Sequence, residues 1–324
     1  MVRLKDKRGV VLILVLSMVA LFSAMIIAFS SDEGLDMELA YNFHDSIQAQ
    51  YIALAGVEAA KVILVQDDLS HDSLDEQWGE FPAYAATASG YLDGSQLTGT
   101  ITDECSKFDL NSLAIRDNYK EFRKQQFQRL FTLQNIDITQ EEFDDLANSI
   151  VDWLDTDSEV IMGGAENEYY LTLEPPYHCK NAPMDSVEEI LLVKGMKSEY
   201  FFGTENYEGL KNYVTVGTGG KININTASEM VLKGISEQYF NDDVVSSIIA
   251  CRPFTGQNFS CVQGLGLSDG SDESNWIKNN VLVVKSSRFS VDVKGVMPSG
   301  AQVNVKSVLE RINNNARIVY YRIH

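Results

Sequence analysis

Residues 152–170, DWLDTDSEVIMGGAENEYY, carry the densest chemistry in the sequence. Asp155, Asp157 and Glu159 stand at alternate positions, and Glu166 is twelfth counting from Asp155. A calcium loop supplies side-chain oxygens at its first, third and fifth positions and a carboxylate at its twelfth. Hard oxygen donors with no neighbouring imidazole or thiolate suit Ca²⁺ better than Zn²⁺. Val160 occupies the place where an EF-hand needs glycine, so the spacing predicts a non-standard loop, with Gly163-Gly164 supplying flexibility later. The alternative is a solvated acidic loop. Against it, Asp152, Asp155, Asp157, Glu159 and Glu166 would repel one another without a cation among them.

Four cysteines, Cys105, Cys179, Cys251 and Cys261, lack the C-x₂-C spacing of a zinc site. In an oxidising compartment an even count favours disulfides. Cys251 and Cys261 are ten apart across a proline-containing turn and form the expected pair, leaving Cys105 with Cys179. Buried free thiols are the alternative. His44, His71, His178 and His324 suggest no nucleophile–base pair, and His178 beside Cys179 is adjacency without the needed geometry. No G-x-S-x-G elbow, Walker A loop or dinucleotide fingerprint occurs, so no enzyme is expected.

A scaffold must hold these groups, and 324 residues exceed one ordinary domain. A hydrophobic share of 45% supports real cores and excludes wholesale disorder. The net charge of −20 opposes binding to phosphate backbones. The first nine residues, MVRLKDKRG, nonetheless hold four basic residues against one acid. Val10 to Phe29 follows without a charge, and twenty residues of helix span about 30 Å, a bilayer's hydrocarbon core. Basic residues before the span and acids after it place the N-terminus in the cytoplasm and the body outside. From Leu35 to about Asp68 there is no proline, and Leu39, Phe43, Ile47, Ile52, Val57, Ala60 and Leu64 recur at three- and four-residue spacing. The pattern predicts one helix of nearly sixty residues, with a membrane span at 10–29 and a stem at 30–68.

Three alternating runs, 288–297, 301–312 and 315–324, predict an antiparallel meander, joined by a strand near 98–104. Between them, 121–134, 140–154, 186–195, 227–235 and 243–252 read as helices, with Thr139, Asp185 and Thr226 as caps. The expected fold is α+β: a long N-terminal helix packed on an antiparallel sheet (69–113 and 283–324), interrupted by an α-helical domain at 114–282.

Lys7-Arg8-Gly9 before the apolar helix resembles a type IV prepilin leader. That resemblance implies cleavage of residues 1–9 by the prepilin peptidase and methylation of Val10. Leu14 stands where most of that family carries glutamate, which suits a subunit with an unusual place in a filament, such as its end. Asp152-Trp153-Leu154-Asp155-Thr156-Asp157, Gly164-Ala165-Glu166, Tyr169-Tyr170, PPYHCKNAPMDSVEEILLVKGM (175–196), INTASEMVL (224–232) and FDLNSL (108–113) together resemble the K-type minor pseudopilins of type II secretion. The resemblance implies a pseudopilin core with an inserted domain and structural Ca²⁺ on Asp155, Asp157 and Glu166, extending to Asp152, Glu159 and Glu168. It also implies a place at the pseudopilus tip with the I- and J-type minor pseudopilins, other pseudopilins and the inner-membrane secretion platform. The setting would be the bacterial inner membrane, single-pass, with a periplasmic head. Segments 186–196, 221–235 and 248–267 also resemble helix-hairpin-helix or SAM-like units. In a DNA-uptake receptor these would grip phosphate, but the surrounding Asp242, Asp243, Asp269, Asp272 and Glu273 favour a scaffold. A plain signal-anchored calcium-binding envelope protein is a third reading.

Overall fold

The computed structural model describes residues 8–313 and 315–324, so residues 1–7 of the expected leader lie outside the described residues. Helix α1 (Arg8–Gln66) runs 59 residues without a proline. It is long and apolar enough to cross a membrane. Every side chain from Val10 to Phe29 is exposed. The second half has a different face. Ala49, Ala53, Val57, Ala60 and Leu64 are buried against a sheet. Small residues set that distance: a Cβ on Gly56 would stand 2.6 Å from Val293 Cγ1.

After α1 come α2 (Phe81–Ser89), opened by Pro82, and strand β1 (Gln96–Asp103). The chain then leaves the sheet. Strand β2 (Phe108–Asp109) pairs in parallel with β3 (Val214–Thr215), and β4 (Ile222–Asn223) with β5 (Leu282–Val283). Between them lie α3 (Lys120–Leu133), α4 (Gln140–Leu154), α5 (Asn167–Tyr170), α6 (Ser198–Phe202), α7 (Glu229–Ile235) and α8 (Asp242–Cys251). The sheet resumes with β6 (Arg288–Val296), β7 (Gln302–Ile312) and β8 (Asn315–Ile323), in the antiparallel order β1-β6-β7-β8. The predicted long helix, meander and helical insertion are therefore all present.

Two domain boundaries, one element and two caps differ from the sequence expectation. Phe108, Leu110 and Leu113 pack with Phe127, Phe131 and Phe143, so FDLNSL belongs to the insertion rather than to the sheet domain. Leu282 and Val284 join the insertion's second core, so the sheet domain resumes only near 288. The insertion thus occupies 104–287. Segment 186–195 is a 3₁₀ turn at Val187–Leu192, capped by Ser186 in a reciprocal box with Glu189. Asp185 instead accepts from Lys180 at 2.7 Å. Helix α7 is capped by Ser228, because Thr226 spends its hydroxyl on Asp103. Thr139 does cap α4, in a capping box with Glu142.

A buried polar joint ties the two domains together. Asp103, at the end of β1, accepts from Thr226 and Ser286 hydroxyls, both at 2.6 Å, from Asn223 Nδ2 at 3.0 Å and from Cys105 N–H at 2.7 Å. Asp72, 0% exposed, accepts from Ser286 N–H and from the Arg311 guanidinium. Arg311 also donates to Leu64 O in the last turn of α1, where a cation opposes the helix dipole.

Candidate metal centre

Helix α4 delivers the first ligand candidates. Its amphipathic face buries Phe143, Leu146, Ile150 and Trp153, which leaves Asp152 and Asp155 at the C-terminal end turned toward the following loop. Trp153 meets Tyr170 of α5 edge-on at 5.2 Å, closing the loop's two ends on each other. Lys194 Nζ donates to Gly163 O at 2.9 Å and Gly164 O at 3.1 Å, holding the glycine turn from outside. A Cβ on Gly164 would stand 2.1 Å from Asp152 Oδ2, so only glycine permits this approach.

The acids converge without enough donors. Asp152 is 0% exposed, and its carboxylate accepts two long 3.3 Å bonds from Ile161 N–H. Burial pushes it up to about 6, with the charges of Glu166 and Asp155 adding to the rise and the Ile161 and Ala165 N–H groups opposing it. Burial likewise raises Asp155, helped by the charge on Asp157, and raises Glu166, helped by Asp155. Asp155 Oδ1, both oxygens of Glu166 and Asn181 Oδ1 are buried without a well-formed hydrogen bond, although Asn167 N–H and the Cys179 and Asn181 side chains lie near enough to Glu166 to offset part of its rise. Native interiors leave few such atoms, and a cluster on one loop calls for an unseen partner. Unpaired carboxylate and amide oxygens are the kind of donor that Ca²⁺ takes. The donor set therefore fits the ion that the spacing suggests.

The expected ligands differ in their settings. Asp152 and Glu166 are buried, and Asp155 is half-buried with Arg116 3.6 Å from its Oδ2. Asp157 is more open: its carboxylate takes Arg116 at 2.8 Å and Glu159 N–H at 3.1 Å, and Arg116 holds it below its ordinary range. Glu159 and Glu168 point to solvent. Asn181, from the turn after Cys179, was not expected. It donates to Asp157 O and takes a positive φ of 47°. An asparagine directly before Ala-Pro, prone to left-handed turns, was the available signal.

Elsewhere, oxygens of Asp67, Asp72 and Glu76 lie within 4.8 Å of one another. Arg311 stands among them, contacting Asp72 and lying 3.7 Å from Asp67 Oδ2, so this group already has its cation.

All four cysteines are free thiols. Cys105 lies beside Asp103 and Ser286, whereas Cys179 lies 3.6 Å from Asp152 O, so the structure does not bring this expected pair together. Burial pushes both thiols up to about 12. Cys251 and Cys261 are neighbours, each thiol within reach of the other. The hairpin cations are consumed internally. Lys233 is paired with Glu229 and Asp242, at 2.6 and 2.7 Å, and Arg252 donates to Ile224 O and Ala227 O. Nothing in these units favours phosphate binding. Gly9 and Val10 are exposed in the first turns of α1.

Residues 106–217 match the family described as type II secretion system (T2SS), protein K. The chain is 26% identical over 200 residues to the type II secretion system protein K of Klebsiella pneumoniae, covering 60% of each chain. It is 30% identical over 234 residues to that of Aeromonas hydrophila, covering 67% of this chain and 66% of the relative. The match therefore spans under two thirds of either relative's length. The fold is shared with a chain in the crystal structure of the GspK-GspI-GspJ complex from enterotoxigenic Escherichia coli. That superposition has a TM-score of 0.69 at 20% identity and covers 88% of this chain and 99% of the other.

Proposed function

The chain belongs to the type II secretion system protein K family, and from that premise we propose that it works as a minor pseudopilin at the tip of the secretion pseudopilus. The observation that carries this is the division of labour along α1. Its first half exposes apolar side chains throughout, and the exposure continues past the bilayer length at Leu35, Leu39, Phe43, Ile47 and Tyr51. A helix apolar all round, as at 10–29, needs lipid, and the exposed apolar residues that continue among acids beyond it suit packing against other helices. Above it, the insertion at 104–287 enlarges the head well beyond the four-stranded sheet. The geometry suits a subunit that packs its helix among others below while its bulk blocks addition above.

The shared-fold chain was crystallised with GspI and GspJ, and equivalent I- and J-type subunits are the partners for this chain. Cleavage after Gly9, methylation of Val10, a single inner-membrane span with a periplasmic head, and contact with other pseudopilins and the secretion platform belong to the same reading. So does a structural rather than enzymatic role. Ca²⁺ would be held by Asp152, Asp155, Glu166 and Asn181, and its contribution is to neutralise buried carboxylates and fix the loop.

The deciding experiment replaces Phe43 and Ile47 with aspartate in the full-length chain. Co-purification with I- and J-type pseudopilins and export of secreted proteins should both be lost, while the head's melting temperature stays unchanged. Unaltered export would sink the proposal. Mass spectrometry of the mature N-terminus should find methylated Val10, and an intact leader would remove the pilin-like processing.

A further inference from the structure

The second core of the insertion depends on a long irregular segment. Residues 252–271 contain no helix or strand, yet Phe254, Val262 and Leu267 from this stretch are buried with α7 and α8. Such a segment has much freedom to lose on folding, and a covalent closure is most useful there.

The segment folds back along α8 in a defined register. Gln263 N–H donates to Ser247 Oγ at 3.0 Å. A Cβ on Gly264 would stand 3.3 Å from Val244 Cγ2. As the strap advances from 261 to 264, its neighbours on the helix recede, so the chain runs antiparallel to α8. Ser247 is about one turn before Cys251 and Val244 about two. The same register brings Cys261 to Cys251, close enough for its thiol to raise that of Cys251. Cys261 is exposed and Cys251 half-buried, so an external reagent reaches Cys261 first. Cys105 and Cys179 are buried in separate places.

We propose that Cys251 and Cys261 are joined by a disulfide that fastens the 252–264 strap across the end of α8, while Cys105 and Cys179 stay reduced. The oxidant is a disulfide-bearing compound or protein thiol oxidase. The Cys261 thiolate attacks the oxidant's disulfide, forming a mixed disulfide and expelling one thiolate. The Cys251 thiolate then attacks the Cys261 sulfur and expels the second. The protein loses two electrons and two protons, and the oxidant leaves as two thiols. In cells this rests on the reading that the head faces an oxidising compartment.

The test uses the full-length chain in detergent with oxidised glutathione as the probe, followed by denaturation and alkylation. The expected product carries two alkyl groups, on Cys105 and Cys179, and a Cys251–Cys261 peptide pair two hydrogens lighter than its dithiol. Four alkyl groups, or a bond involving Cys105 or Cys179, would overturn the pairing. Alkylating cells before lysis reads the compartment separately: a reduced pair there, with oxidation by glutathione intact, counts against the periplasmic head and not against the geometry. Reduction should speed chymotrypsin cleavage after Phe254 or Phe259 several-fold. The C251S/C261S double variant should be cleaved fast whether or not reductant is present. Equal cleavage of oxidised and reduced wild type would remove the fastening role.

Discussion

The head contains two groups of buried carboxylates, and they are balanced in opposite ways. At the joint between sheet and insertion, Asp72 and Asp103 each receive several donors, from Arg311, Ser286, Asn223 and Thr226. In the 152–166 loop, Asp152 is as deeply buried, but Asp155, Glu166 and Asn181 keep orphaned oxygens. The joint brings its own cation through β7. The loop has Arg116 only at its open side, on Asp155 and Asp157, and on the proposed reading Ca²⁺ neutralises the rest. A fold that uses an internal arginine is stable in any buffer, whereas one that uses an ion becomes stable only where the ion is present.

The largest expected effect breaks the self-contained side. Arg311→Met leaves Asp72 buried and unpaired, and should cost about 3–5 kcal/mol in chemical denaturation with or without Ca²⁺. Next is the loop. Removing Ca²⁺ with EDTA should lower stability by about 2–3 kcal/mol when the free ion had stood near a hundred times its dissociation constant. Glu166→Gln and Asn181→Ala should each weaken that response, and Asp157→Asn should leave it nearly intact. A strong loss in Asp157→Asn would place that side chain back among the ligands. A smaller effect concerns Asp103, which burial pushes up to about 6 from an ordinary 3.8. A carboxyl that holds its proton more tightly when folded gives stability that is full below about 4 and lost as pH rises through about 6. Asp103→Asn should flatten that part of the pH–stability curve, measured by thermal melts from pH 4 to 7. The smallest is Thr139→Ala, which removes the α4 cap for about 1 kcal/mol and should not alter the calcium response.

Much of this architecture was readable in the sequence because the signals are periodic and local. Helix α1 follows from an unbroken apolar run and the absence of proline, and the meander from strict alternation in 288–323. The acidic loop was found from spacing alone. The surroundings of its acids were not, since Asp157 turns to Arg116, 41 residues earlier, and Asn181 arrives from a separate turn. FDLNSL was assigned to the wrong domain because a two-residue strand has no period to read. Thr226 looked like a cap because its tertiary partner, Asp103, is 123 residues away.

The sequence by itself determined where the chain meets apolar surroundings, where it alternates across a sheet and where negative charge accumulates. These depend on composition and on repeats of two or about 3.6 residues, which neighbours in the chain are sufficient to fix. Only the tertiary structure decided which carboxylates are satisfied from within and which keep unpaired oxygens. Desolvation and hydrogen bonding act through space, and the atoms that settle the balance, on Arg311, Asn223 and Asn181, come from distant parts of the chain.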